Sequence, residues 1–141
     1  AVTQCWASLF SPRVITYRAS RGFTADPAMA VVVQQMVNSE KSGVAFSADP
    51  STGARDHLVI EAALGLGEVV VSGKVQPDTY VVDKKTLQVR DFSIGYQAFK
   101  IERGADGHDV IVELTPEQAQ ERVLDDDALR RVAELVVATE N

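Results

Sequence analysis

Val2, Cys5, Trp6, Leu9 and Phe10 recur at helical spacing, which predicts an opening helix with one apolar stripe and with Thr3, Gln4 and Ser8 outside it. Ser11 and Pro12 restart a helix, serine as N-cap and proline at the first helical position. Val14, Ile15 and Tyr17 form its buried side, and Gly22 ends it or opens the next loop. The period changes at MAVVVQQMV, Met29 to Val37, where β-branched density predicts a strand. Gln34 and Gln35 sit inside that run and would face opposite sides. A buried amide without a partner costs about 1–3 kcal/mol, so at least one of them needs a wet edge or a bonded group.

Asn38 to Ser42 reads as a polar turn, followed by alternation of Val44, Phe46 and Ala48 within Gly43 to Ala48, a strand expected to pair with the preceding one as a hairpin. Asp49 to Gly53, DPSTG, is turn chemistry. Further on, TYVVDKKTLQVRDFSI contains two β-rich runs around a polar turn at Lys84 to Thr86, which predicts a second hairpin. Phe99 to Glu102 and Val110 to Leu114 flank GADG, Gly104 to Gly107, and predict a third. Thr115, Pro116 and Gln118 make a capping-box helix start, and Asp126, Leu129, Val132, Leu135 and Val136 mark a closing amphipathic helix. The aspartates that lead it suit a positive helix end, so they read as caps rather than metal ligands.

The stretch from His57 to Tyr80 carries the candidate chemistry. Leu58, Val59 and Ile60 suit a buried strand, Gly65 and Gly67 interrupt it, and Glu68 opens a short helix, Glu68 to Ser72, that Gly73 stops. A strand running through a glycine turn into a helix leaves backbone amides at the mouth of a sheet that can hold phosphate oxygens. A carboxylate beside them serves if the phosphates arrive with a metal. The glycines match neither GxGxxG nor GK[ST], and spacing alone favours an ordinary strand-to-helix turn whose N-terminal glutamate suits the helix dipole.

Composition narrows the classes. At 141 residues the chain has the length of one domain with a core that needs no staples. The net charge of −6, with no clustered lysines and arginines, argues against nucleic-acid binding, and no apolar run approaches the ~18 residues of a membrane span. Cys5 is the only cysteine, so no internal disulfide forms; its helical apolar face predicts a packed thiol and a reducing, cytoplasmic setting. His57 and His108 have no second histidine at ligand spacing and read as structural or surface residues. Without an initiator methionine, and with a last helix reaching Asn141, the chain reads as a piece of a longer one.

Four blocks, CWASLFSPRVITYR, VVVQQMV, SGVAFSADPSTG and EAALGLGEVVVSGKVQPDTYVV, stand in an order and spacing that resemble the nucleotide-binding region of the phosphoenolpyruvate synthase and pyruvate phosphate dikinase family. The resemblance spans nearly the whole chain. Within the family the GLGE block is most similar to the pyruvate, water dikinase branch, with rifampin phosphotransferases, which share CWASLF and GLGE, as the nearest competitor.

The resemblance implies an α+β fold: part of an ATP-grasp lobe, largely antiparallel β-hairpins with flanking helices, with 1–141 as a single internal piece of the nucleotide-binding domain. It implies ATP as ligand, with Mg2+ held by groups outside these residues. The β-phosphate would pass to a histidine on a swivelling domain and then to pyruvate on a barrel, these domains being the expected partners. Residue by residue, Gln34 falls at the nucleotide-contacting glutamine, and Met36, Val37 and Asn38 at the hinge that holds adenine through backbone groups. Gly65 and Gly67 fall at the turn, and Glu68 at the carboxylate beside the phosphates or ribose. The phosphate-gripping lysine and arginine, the metal-holding carboxylates and the phosphorylated histidine have no counterpart, so no residue is assigned as catalytic or metal-ligating and the isolated chain is expected to turn over nothing. A module that binds a nucleotide or a partner without chemistry is the alternative of another class.

Overall fold

The computed structural model describes residues 1–140 and divides into two compact units, 1–36 and 37–141, each taken by itself below.

In the first unit, α1 (Val2–Ser8) and α2 (Pro12–Ser20) form where the apolar spacing and the Ser-Pro start place them. Ser11 holds the extended N-cap conformation, although its side chain makes no capping hydrogen bond. The end of α2 is a Schellman turn: Gly22 takes φ +68, its amide donates to Ala19 O at 3.2 Å, and the Phe23 amide donates to Arg18 O at 3.0 Å. The chain beyond is pinned back by Trp6 Nε1, which donates to Met29 O at 3.3 Å, and by the Arg18 guanidinium, which donates to Ala25 O.

No residue of this unit is buried. The stripe on α1 therefore stays open, with Trp6 51% and Phe10 68% exposed, and Cys5 is an exposed thiol rather than a packed one. Two short helices and an irregular segment supply too little apolar area to close over it. Met29 to Val37 also departs from expectation, because it forms no strand. Its backbone enters no ladder, and β-branched propensity makes a strand only where a neighbour satisfies its amides and carbonyls.

The second unit is built on an antiparallel sheet in the order β1 (Lys41–Phe46), β2 (His57–Leu64), β3 (Asp78–Asp83) and β4 (Val89–Ser93). β1 pairs with β2, not with the residues before it: Ala45 lies opposite Ile60 and Gly43 opposite Ala62, the connection running through the Asp49–Gly53 turn. Asp49 Oδ1 accepts the Ser51 amide at 2.7 Å and so fixes that turn. The β3–β4 hairpin closes at Lys84 to Thr86 as the pattern predicts, Asp83 Oδ1 accepting the Lys85 and Thr86 amides at 2.8 Å each.

Centrality explains why β2 reads as an almost continuous apolar run, since both of its faces are covered. On one face Leu58, Ile60 and Ala62 join Tyr80 and Val82 of β3 under Leu129 and Ala133 of α4 (Asp126–Glu140), with Val123 between. On the other, Ala63 packs with Leu66, Val69, Val70, Val75 and Ile101. Val69 and Val70 come from α3 (Glu68–Val71), and Ile101 from the separate hairpin of β5 (Phe99–Arg103) and β6 (Asp109–Glu113). The Thr115 box forms reciprocally, the Thr115 amide on Gln118 Oε1 at 3.1 Å and the Gln118 amide on Thr115 Oγ1 at 3.3 Å, but it opens only a 3-10 turn, Gln118–Gln120. Asp125 caps α4 through the Ala128 amide at 2.7 Å.

Candidate functional site

At the end of β2 the chain must leave the sheet, pass β5 and enter α3 within four residues. Gly65 makes this possible: it takes φ +89 and forms a parallel bridge to Ile101, and a Cβ there would lie 2.3 Å from Ile101 O. The turn uses its first two amides internally. Gly65 N donates to Glu40 O and Leu66 N to Ile101 O, each at 2.7 Å, while Ser39 Oγ donates to Gly65 O at 3.3 Å. Among the described residues the amides of Gly67 and Glu68 have no acceptor, and both residues are exposed. Of the amides expected to be free at this turn, these two are, and Gly65 and Leu66 are not.

Gly65 also forms the floor of an open cleft of about 520 Å³. Asn38 to Lys41 and Leu64 line it on one side, Lys100, Glu102 and Arg103 of β5 on another, and Leu114, Gln118 and Glu121 close it. Lys100 and Glu102 project from alternate positions of β5 and pair at 2.7 Å, Nζ to Oε2. Bare backbone over a floor without a side chain, polar walls and mixed charge suit a ligand that is itself polar on several edges.

Of the sequence-predicted site residues, Asn38 and Gly65 meet in this cleft. Val37, Gly67 and Glu68 are exposed in the same unit without lining it, and Gln34 and Met36 belong to the first unit, where both are exposed. Among the described residues no group of three or more His, Cys, Asp or Glu side chains gathers as a metal site. His57 lies between two carboxylates, Nδ1 2.8 Å from Asp56 Oδ1 and Nε2 3.5 Å from Asp49 Oδ2, at the opposite end of β2 from the turn.

Two buried polar residues behind the site escaped the sequence reading. Asp78, fully buried, accepts the Gly95 amide at 2.9 Å on Oδ1, and on Oδ2 the Val123 amide at 2.8 Å and the Tyr80 hydroxyl at 2.7 Å. Gln97, 1% exposed, accepts the Leu64 amide on Oε1 at 2.8 Å. Pro77 and Asp78 read only as the start of the β-rich runs, and Gln97 lies in a stretch without periodicity. The available signal was slight: Asp78 directly precedes the apolar-rich TYVV run, and Gln97 directly precedes Ala98 and the Phe99 start of the next strand.

These elements define a mixed α+β domain with an open polar cleft where its central strand ends. The chain belongs to the pyruvate phosphate dikinase AMP/ATP-binding domain family, whose model matches residues 1–141. It is 50% identical over 135 residues to a probable phosphoenolpyruvate synthase of Archaeoglobus fulgidus, covering 95% of this chain and 18% of that protein. It is 40% identical over 141 residues to the phosphoenolpyruvate synthase of Pyrococcus furiosus, covering 95% of this chain and 17% of that protein. An uncharacterized phosphotransferase of Bacillus subtilis is 39% identical over 142 residues, covering 99% of this chain and 17% of that protein. The chain thus spans under a fifth of the length of the curated relatives it matches.

Proposed function

We propose that this chain holds the adenine nucleotide in a phosphoenolpyruvate synthase, the cytoplasmic enzyme that converts pyruvate, ATP and water into phosphoenolpyruvate, AMP and phosphate. The observation that carries the reading is the meeting of Asn38 and Gly65 in one polar cleft, in a chain whose whole length matches an AMP/ATP-binding domain. In this reading both units belong to one ATP-grasp nucleotide-binding domain. Gln34 contacts the nucleotide, Met36, Val37 and Asn38 offer backbone groups to the adenine, and Gly65 and Gly67 bring bare backbone close to it. Glu68 stands beside the phosphates or ribose, where a carboxylate can bond ribose hydroxyls or face a magnesium ion carried in with the phosphates. That ion's protein ligands, the phosphorylated histidine and the pyruvate site come from other parts of a longer polypeptide.

The isolated chain binds without turnover. Each hinge hydrogen bond contributes only about 0.5–1.5 kcal/mol, so its affinity for ATP is weak and is best read residue by residue. Titrating the isotopically labelled chain with ATP should move the amide resonances of Val37, Asn38, Gly65, Gly67 and Glu68 together, while those of β3 and β4 stay in place. Shifts confined to other surfaces, or none at millimolar ATP, sink the reading. The name of the Bacillus relative, an uncharacterized phosphotransferase, specifies no acceptor, which leaves room for the second reading, a hydroxyl of an antibiotic in place of pyruvate, as in rifampin phosphotransferases. Assay of the longer polypeptide with pyruvate as sole acceptor separates the two.

A further inference from the structure

Three walls of the cleft converge on one dipeptide, Gln97-Ala98. The Gln97 side chain accepts the Leu64 amide at 2.8 Å, immediately before the Gly65 floor. Its own backbone amide donates to Ala119 O at 2.9 Å, beside Gln118 of the closing wall. Ala98 O accepts the Leu114 amide at 3.0 Å, and β5, with Lys100 and Glu102, begins at the next residue. Gln97 is 1% exposed and 33 residues from Leu64 in sequence. A buried amide side chain that ties the last residue of β2 to the cleft's other walls has a positional task.

We propose that Gln97 is a positioning residue for nucleotide binding: it sets where β2 ends and so holds the Gly65–Glu68 turn in register with the walls of the cleft. It touches no ligand itself. The inference rests on the nucleotide reading above and assigns the control of that site to a residue outside it.

Gln97→Met keeps the volume and removes the acceptor. Hydrogen exchange at the Leu64 and Gly65 amides should then accelerate at least tenfold over the change at β3 amides, with no ATP present. In an ATP titration, the residues of this one site should share a midpoint raised about tenfold, and at saturation the shift amplitudes at Gly65, Gly67 and Glu68 should fall relative to those at Val37 and Asn38. Leu129→Ala, which opens the core under α4 and leaves the Gln97 acceptor in place, serves as the control for lost stability and should leave the ATP response of both groups in proportion. Unchanged Leu64 exchange in Gln97→Met, or turn and hinge shift amplitudes staying in proportion as in the control, overturns the proposal. An unsubstituted chain without any ATP-induced shift overturns the nucleotide reading, and this inference with it.

Discussion

Asp78 and Val123 lie 45 residues apart, and the Val123 amide donates to Asp78 Oδ2 at 2.8 Å inside the core. The same carboxyl group receives Gly95 and Tyr80, so the start of β3, the segment after β4 and the segment before α4 meet on one side chain. Asp78→Ala leaves three donors buried without an acceptor, which should destabilise the chain on the order of 3 kcal/mol or more. Tyr80→Phe removes the hydroxyl that also accepts the Leu124 amide at 3.1 Å and should cost about 1–2 kcal/mol. Urea denaturation checks both. A loss under 1 kcal/mol for Asp78→Ala would mean that other groups satisfy these amides.

The two glycines of the turn should behave oppositely. An alanine at Gly65 meets Ile101 O at 2.3 Å and must hold φ +89, so Gly65→Ala should cost roughly 3 kcal/mol and loosen the β5–β6 hairpin from β2. Gly67 has ordinary right-handed dihedrals and open space where its Cβ would be, so Gly67→Ala should stay within ~0.5 kcal/mol of wild type. Thermal melts of the pair, with hydrogen exchange at Ile101, separate a turn that needs glycine for its own geometry from one that needs it only for a ligand.

What sequence could show here was whatever local pattern decides. The hairpin around Lys84 to Thr86, the one around Gly104 to Gly107, the short helix after Gly67 and the α4 start all follow from turn chemistry and spacing within a dozen residues. Pairing of β1 with β2 rather than with Met29 to Val37 depends on which neighbour offers a matching ladder, and no local period encodes that choice. For the site, Gly65 and Asn38 were legible as residues, Asn38 through the family resemblance alone, whereas Lys100 and Glu102 reach the cleft through the hairpin whose Ile101 bridges to Gly65 across 36 positions. Cys5 failed for a simpler reason: an apolar stripe predicts burial only when something is there to cover it.

Alkaline stability should depend on Tyr80. Burial pushes its hydroxyl up to about 12, with Asp78 adding to the rise and the Leu124 amide opposing it. An acid whose folded value lies above its unfolded value of about 10 contributes stability in full below about pH 10, and that contribution is lost as pH rises toward 12. The melting temperature of the wild type should therefore fall between pH 10 and 12 more steeply than that of Tyr80→Phe. Parallel profiles would show that the phenol ionises without cost to the fold.

At the acid end the deciding groups are Asp56 and Asp83, which Arg90 bridges at the edge of the sheet. Arg90 Nη1 lies 2.7 Å from Asp56 Oδ2 and Nε 3.0 Å from Asp83 Oδ2. The Arg90 hydrogen bond, followed by that of His57, holds Asp56 down at about 2, and the Thr86 amide, followed by Arg90, holds Asp83 well below the usual carboxylate range. Both folded values lie beneath the unfolded one of about 3.9, so their contribution is complete above it and drains away as pH falls through the folded values. Wild-type melting temperature should drop from about pH 4 downward through pH 2. Arg90→Met should lower it at pH 5 yet flatten that descent, because the group that depresses Asp56 is gone. Asp56 and Arg90 are largely solvent-exposed, so the difference should shrink in 1 M salt. Superimposable acid limbs for wild type and Arg90→Met at low salt would assign the whole descent to carboxylates elsewhere in the chain.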